Sequence, residues 1–336
     1  MTIWDIKFED LNQNGLKDMI VEMYDKENVH DGERHLQFIY QQQNKSWKKE
    51  FDIELEGNIA SMSYKLTDLN KDGLKDMVLS TTAYFSNARK SIKIVYQDVN
   101  KQWNKSQILI SDTNKNNTYS YYLYDINQDA TDEVFINSDI YSYSGNFLEK
   151  TATLPITFKP NWSFAQEGNF NSDGLSDIVL KNGKNKWVLL LTTGGNNFSV
   201  QEYERTDEIS MIFVNDLNYD GLDDLVINNA NNKLFLYLNK GNQFRISKEY
   251  TSFIFNHVSK KNTLFGDFNG DGFKDMNVEN SNIALLNADN LEVKPLYFPY
   301  ASNLNTQIYD CNGDGIDDII KMSSDGKMYV ALSKKN

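Results

Sequence analysis

Seven copies of a nine-residue acidic loop, a short β-prone run behind each copy, and no long amphipathic helix anywhere predict an all-β chain. The expected architecture is a seven-bladed β-propeller with an acidic loop between the first and second strand of each blade. The loops read D-x-N-x-D-G-x-x-D or a near variant and begin at Asp10, Asp68, Asp125, Asn169, Asp216, Asp267 and Asp310. Their starts are 58, 57, 44, 47, 51 and 43 residues apart, a period that suits one four-stranded unit per repeat.

The runs that follow the loops are MIVEMY, MVLSTT, VFINSD, IVLKNG, LVINNA, MNVENS and IIKMSS, short and mostly β-prone. Each is read as a second strand. Third and fourth strands follow as HLQFIYQQ and WKKEFDIEL in the first unit, SIKIVYQD and WNKSQILI in the second, and KLFLYLNK and FRISKEY in the fifth. Strands after the loops exclude EF-hand and dockerin-like arrangements, which place helices there, and the wide spacing excludes thrombospondin-type calcium repeats. A lone four-stranded sheet cannot bury both faces, whereas radial stacking can. The blades are therefore expected at about 1–58, 59–115, 116–160, 161–207, 208–257, 258–301 and 302–336, in a single domain. Only three strands fit in the last, which favours a processed piece of a larger protein.

The loop pattern brings oxygens at positions 1, 3, 5 and 9, with a carbonyl near position 7, toward one hard cation. Calcium suits such a set because it accepts six to eight oxygens in flexible geometry. The expected ligands are Asp10, Asn12, Asn14 and Asp18; Asp68, Asn70, Asp72 and Asp76; Asp125, Asn127, Asp129 and Glu133. They continue with Asn169, Asn171, Asp173 and Asp177; Asp216, Asn218, Asp220 and Asp224; Asp267, Asn269, Asp271 and Asp275; and Asp310, Asn312, Asp314 and Asp318. An Asx-type turn would also use Asp, Asn and Gly, but it does not need a carboxylate returning at position 9.

Charge follows the loops. Nineteen of the 47 Asp and Glu fall at these positions, and outside them Lys and Arg exceed acids by six. Seven Ca²⁺ would bring the formal −13 close to neutrality. Loops 2, 5, 6 and 7 should be the best sites, because loops 1 and 4 have two carboxylates each and loop 3 has Ala130 in place of Gly.

Residues 265–275, Phe-Gly-Asp-Phe-Asn-Gly-Asp-Gly-Phe-Lys-Asp, carry a specific resemblance: the chain resembles the integrin-α-type propellers of the FG-GAP or VCBS repeat class. The resemblance implies seven blades with calcium in the first hairpin loop of each. The Phe-Gly pair precedes only one loop, and no Gly-Ala-Pro triplet is present.

Sites that use millimolar calcium point to an extracellular, cell-surface or periplasmic setting. The opening MTIWDIKFED has no leader character, so a signal peptide would already have been removed, and no run approaches membrane-spanning length. Cys311 excludes a disulfide framework and is expected as a small buried hydrophobe.

Three histidines and no G-x-S-x-G, H-E-x-x-H or phosphate-cradling loop argue against an enzyme, although some polysaccharide lyases use calcium-rich propellers. Neither a basic stripe nor an RNA-binding signature suggests nucleic acid. A binding module is expected, recognising a protein partner through the loops opposite the acidic ones. Insertions at Tyr24–His35 and Thr81–Ser91 offer Tyr84, Phe85, Arg89, His30 and Arg34 as anchors. The alternative is a glycan ligand at grooves between blades. Trp162 is then the exposed candidate, with Trp47 and Trp103 expected to pack between blades.

Overall fold

The computed structural model describes residues 2–24, 34–55, 59–83, 90–114, 119–156, 162–229, 231, 233–241, 243–251, 263–278, 282–286, 291–295, 306–322 and 328–335. Among these, every regular element is a strand. The chain forms two compact units, Met1–Leu154 and Pro155–Asn336.

The first unit holds three four-stranded antiparallel sheets. Sheet 1 contains β1 (Thr2–Glu9), β2 (Asp18–Tyr24), β3 (Arg34–Gln41) and β4 (Trp47–Leu55). Sheet 2 contains β5 (Ile59–Thr67), β6 (Asp76–Ala83), β7 (Lys90–Tyr96) and β8 (Lys105–Asp112). Sheet 3 contains β9 (Tyr121–Tyr124), β10 (Glu133–Ile136), β11 (Asp139–Tyr143) and β12 (Leu148–Thr153).

The second unit adds three more four-stranded sheets and one of three strands. Sheet 4 is β13 (Ser163–Gly168), β14 (Asp177–Lys181), β15 (Lys186–Thr192) and β16 (Phe198–Glu204). Sheet 5 is β17 (Ile209–Asn215), β18 (Asp224–Asn229), β19 (Lys233–Asn239) and β20 (Phe244–Thr251). Sheet 6 is β21 (Leu264–Gly266), β22 (Asp275–Val278), β23 (Asn282–Leu286) and β24 (Leu291–Pro295). Sheet 7 is β25 (Thr306–Tyr309), β26 (Asp318–Met322) and β27 (Met328–Ala331).

Strand order follows chain order in every sheet, so each is a meander built from local hairpins. Strands 2 and 3 are the apolar ones because both of their faces are covered. All six residues of β18 are buried, and β15 buries all but its first. Alternation puts opposite faces into different interfaces. In the first unit, Leu11, Phe38 and Tyr40 of sheet 1 meet Met77, Val95 and Trp103 of sheet 2. Leu69, Ile94 and Tyr96 of sheet 2 meet Val134, Ile136 and Leu148 of sheet 3.

The second unit repeats the arrangement. Phe170, Leu189 and Leu191 of sheet 4 meet Leu225, Tyr237 and Phe244 of sheet 5. Phe213, Val226 and Leu236 of sheet 5 pack on Met276, Val278 and Leu286 of sheet 6. Phe268, Ile283 and Leu285 of sheet 6 then meet Ile319 of sheet 7.

The expected core role of Trp47 does not hold: it is 44% exposed, while Trp103, at the matching place, is 3% exposed. Trp103 stacks on Phe38 at 4.9 Å and donates to the Tyr40 hydroxyl at 3.0 Å. Trp187 is buried and stacks on Tyr203 at 3.8 Å. Cys311 is also a correction, because it is exposed. Its counterparts Leu11, Leu69, Ile126, Phe170, Leu217 and Phe268 are buried, whereas the Cys311 thiol stays at the surface and donates to Tyr309 O at 3.3 Å.

Candidate metal centres

All seven acidic loops join the first to the second strand of a sheet. The backbone takes positive φ twice in each. Position 6 is Gly in six loops, with φ between 79° and 87°, and Ala130 adopts 68° in the third. Loop 3 therefore follows the common path, with Ala130 in a conformation that favours glycine. Position 4 is also left-handed, and in five loops it is not Gly: Gln13, Lys71, Gln128, Ser172 and Tyr219 have φ of 55–62°.

The side chains at positions 1, 3 and 5 hold this path. In loop 5, Asp216 accepts from the N–H groups of Asp220 (3.1 Å) and Gly221 (3.0 Å). Asn218 Oδ1 shares the Asp220 N–H at 3.1 Å, and Asp220 Oδ1 accepts from Leu222 at 2.9 Å. The same pattern recurs around Asp10, Asp125, Asp267 and Asp310. The Asn at position 3 donates from Nδ2 to the position-5 carboxylate in loops 2, 4, 5, 6 and 7.

Position 9 has a separate role. Asp224 is fully buried, and its two oxygens accept from the N–H of Leu217 (3.0 Å) and of Asn239 (2.7 Å), tying the loop to the end of the third strand. Asp18, Asp76, Asp177, Asp275 and Asp318 make the same two bonds. Glu133 differs: it accepts from Ile126 N–H and from Asn127 Nδ2. For Asp76, Glu133, Asp177, Asp224 and Asp275 burial is the largest influence, and the N–H donors oppose it. The result is an upward push to about 7 for Asp76, Glu133 and Asp224, about 6 for Asp177 and about 8 for Asp275.

Among the described residues, no three His, Cys, Asp or Glu side chains gather as a metal-holding group, since the position-9 acid is directed at backbone N–H groups. The oxygens that crowd together belong to positions 1, 3 and 5, a hard donor set of two carboxylates and one amide in most loops. In loop 2, Asp68 Oδ1 is buried without a hydrogen-bond partner. An orphaned carboxylate oxygen of that kind fits a cation. Asp68, Asn70 and Asp72 are the residues that would hold it.

A feature that motif reading missed links one loop to the next. Asp223, at position 8 of loop 5, accepts from the N–H of Asn169 at 2.7 Å, and its own N–H donates to Asn169 O at 2.8 Å. Asp317 does the same to Asp267, at 2.9 Å both ways. A Cβ on Gly168 would lie 2.8 Å from Asp223 Oδ2, and one on Gly266 would lie 2.8 Å from Ile308 Cγ2 and 2.9 Å from Asp317 Oδ2. Elsewhere the pair changes type: Thr67 donates to Asp132 (2.6 Å), and Lys274 to Asn215 (2.8 Å). The readable signal was the Gly-x-x partner ahead of a loop whose successor ends Asp-Asp.

Of the expected ligand-binding residues, His30, Tyr84, Phe85 and Arg89 lie outside the described residues. Arg34 is bound to Glu22 at 2.8 Å within sheet 1. Trp162, expected to be exposed, is half-buried. No helix among the described residues is long and apolar enough to cross a membrane.

Residues 216–278 match the FG-GAP-like repeat family, a span from the acidic loop of sheet 5 to the end of β22. No curated protein matches the chain. Similar solved structures include BBS1N in complex with ARL6DN, soaked with lead (9% identity, 98% of this chain and 91% of that chain, TM-score 0.41). The same complex soaked with mercury gives 14% identity, 83% and 80% coverage, and a TM-score of 0.42. Sqt1 from Saccharomyces cerevisiae gives 10% identity, 96% and 85% coverage, and a TM-score of 0.49.

Proposed function

We propose that this chain, whose residues 216–278 are FG-GAP-like repeat sequence, is a calcium-stabilised seven-bladed binding module that works outside the cell. Its partner is a protein, held by the loops opposite the acidic ones. The observation that carries the calcium reading is the repeated crowding of oxygens at positions 1, 3 and 5, with Asp68 Oδ1 left unpartnered in a buried setting. Bound calcium would supply positive charge where these acids crowd and would lock each loop against its sheet.

The binding reading rests on what the sheets leave over. The acidic loops are consumed by their own hydrogen bonds and by contacts with neighbouring loops. The insertions at 24–35 and 81–91, which join second to third strands in sheets 1 and 2, carry aromatic and basic residues in their sequence.

Calorimetric titration of the metal-stripped chain with Ca²⁺ tests the first half. Multiple sites and a rise in melting temperature are expected, with Asp68→Asn removing one of the tighter sites. No heat and no thermal shift at about 10 mM calcium, well above the range of extracellular modules, would end the calcium reading. For the second half, a Tyr84→Ser/Phe85→Ser chain should lose its protein partner while keeping its melting temperature; a calcium-dependent hit on a glycan array would transfer the function to sugar recognition.

A further inference from the structure

Of the links between neighbouring loops, the one between loops 5 and 6 pairs two groups that can react. At position 8 of loops 5 and 7 stand carboxylates that accept from backbone N–H groups. Position 8 of loop 6 is Lys274, and its Nζ lies 2.8 Å from Oδ1 of Asn215, the last residue of β17. A primary amine is thereby set against a side-chain carboxamide. Lys71 and Lys233 meet carboxylates instead, Asp129 at 3.0 Å and Glu249 at 2.6 Å, in pairs open to water. A carboxamide is the better acyl donor, because its nitrogen leaves as ammonium, whereas a carboxylate must first be protonated.

The pair is fixed from both sides. Lys274 N–H donates to Leu217 O at 2.7 Å, which holds the root of the lysine side chain against loop 5. Its amine end lies over the Tyr219 ring, 4.9 Å from the centroid. Asn215 is held by its place in β17, paired with Asp224 of β18. Both side chains are half-buried. Nζ is no farther than about 4.0 Å from the Asn215 carboxamide carbon, the sum of the contact and a C=O bond. That approaches the ~3–3.5 Å of a near-attack pair. A carboxylate stands within electrostatic reach of Lys274: Asp223, itself held by Asn169 N–H at 2.7 Å.

We propose that Lys274 and Asn215 join in an intramolecular isopeptide bond. Asp223 takes a proton from the Lys274 ammonium, and the freed electron pair of Nζ attacks Cγ of Asn215. The Nζ–Cγ bond forms and the Cγ–Nδ2 bond breaks. Nδ2 leaves with the second proton shed by Nζ and with the one held by Asp223, so that one ammonium ion departs and Asp223 is restored. No oxidant, reductant or water is consumed. The bond closes residues 215–274 into a covalent loop and ties β17 of sheet 5 to the acidic loop of sheet 6. A chain with a single Cys has no internal disulfide to do this. The reaction needs neither calcium nor a partner.

The test is the intact mass of the full chain, purified in chelator, followed by a tryptic map. The chain should be lighter than its sequence by one ammonia, Lys274 should resist trypsin, and its peptide should stay joined to the one that carries Asn215. Lys274→Arg and Asn215→Ala, neither of which can form the bond, should restore the full mass, migrate more slowly in denaturing electrophoresis and melt about 5 °C or more below the parent chain. Asp223→Asn should leave most of the chain at full mass; complete conversion in that variant would overturn the role of Asp223. A parent chain that carries its full sequence mass and is cut after Lys274 would overturn the proposal. So would an ammonia loss that persists in Lys274→Arg, which would assign it to imide formation at an Asn-Gly pair such as Asn14 and Gly15.

Discussion

Asp224→Asn separates the structural role of an acidic loop from its proposed metal role. Asp224 is fully buried and accepts from Leu217 N–H at 3.0 Å and Asn239 N–H at 2.7 Å. Asn keeps the shape and one acceptor but turns an NH₂ group toward the other N–H, leaving two buried donors facing each other. A lost charge-assisted bond is worth about 1.5–3 kcal/mol and a stranded buried donor about 1–3 kcal/mol. Relief of the burial that pushes Asp224 up to about 7 returns part of this, so a net loss of about 2–3 kcal/mol is expected.

For a unit of this size that corresponds to a fall of about 4–12 °C in melting temperature. The assay is scanning calorimetry at pH 8, with and without calcium. The fall should persist with a chelator present, because the lost bonds hold backbone to backbone. Asp220→Asn is the contrast: its Oδ1 can still accept from Leu222 N–H, and the Asn218 Nδ2 bond it loses is exposed and replaced by water, so the stripped protein should change by less than about 0.5 kcal/mol, while the gain on adding calcium shrinks. Equal melting temperatures for Asp224→Asn and the parent chain in chelator would refute the strut role of position 9.

Three further outcomes follow from single positions. Asn277 is fully buried with neither amide atom hydrogen-bonded, where the other sheets place Ile20, Val78, Phe135, Val179, Val226 and Ile320; Asn277→Val should raise stability by about 1–2 kcal/mol in chemical denaturation, and a loss would show that the amide is satisfied. Gly266→Ala should destabilise by more than about 1 kcal/mol, because its Cβ would meet Ile308 and Asp317 closer than 3.0 Å; a neutral result would mean that loops 6 and 7 can separate at no cost. In the metal-stripped chain, Asp76, Glu133, Asp177, Asp224 and Asp275 keep their protons to about pH 6–8 when folded and lose them near pH 4 when unfolded. The folded state then binds more protons across that window, so melting temperature should fall as pH rises from 5 to 8; a flat or rising profile would contradict the burial of these acids.

Much of the strand pattern was legible because its signals are local. WKKEFDIEL is β4 residue for residue, and the runs behind the loops are second strands. The loop positions were legible for the same reason, since Asp, Asn and Gly at fixed offsets dictate the turn. What escaped depends on neighbours that sequence order does not reveal. Trp47 and Trp103 hold the same place in their sheets, yet only Trp103 finds a ring pair and a tyrosine hydroxyl. Cys311 occupies a position that is buried in the other six loops and is itself exposed, a difference that the motif does not encode. The irregularities in β1, β5, β13 and β17, each near the start of the strand, carry no Gly or Pro that would announce them.

The position-8 contacts change what the repeat means. If each loop served only its own ion, position 8 would be free to vary, and the residue ahead of the preceding loop would vary independently. Instead the two change together: Gly168 with Asp223, Gly266 with Asp317, Asn215 with Lys274, Thr67 with Asp132. A small residue admits a carboxylate that caps the backbone, and a polar one meets a side chain of matching type. Loops are thereby tied in sequence within each unit, and an ion that tightened one loop would restrain the N–H groups of its neighbour. Calcium sites in adjacent sheets should accordingly bind with positive coupling, and Asp317→Ala, which cuts the link between loops 6 and 7 without touching an expected ligand, should weaken that coupling while leaving the number of sites unchanged. Unaltered titration curves for Asp317→Ala would mean that the loops act alone and that the paired positions serve packing only.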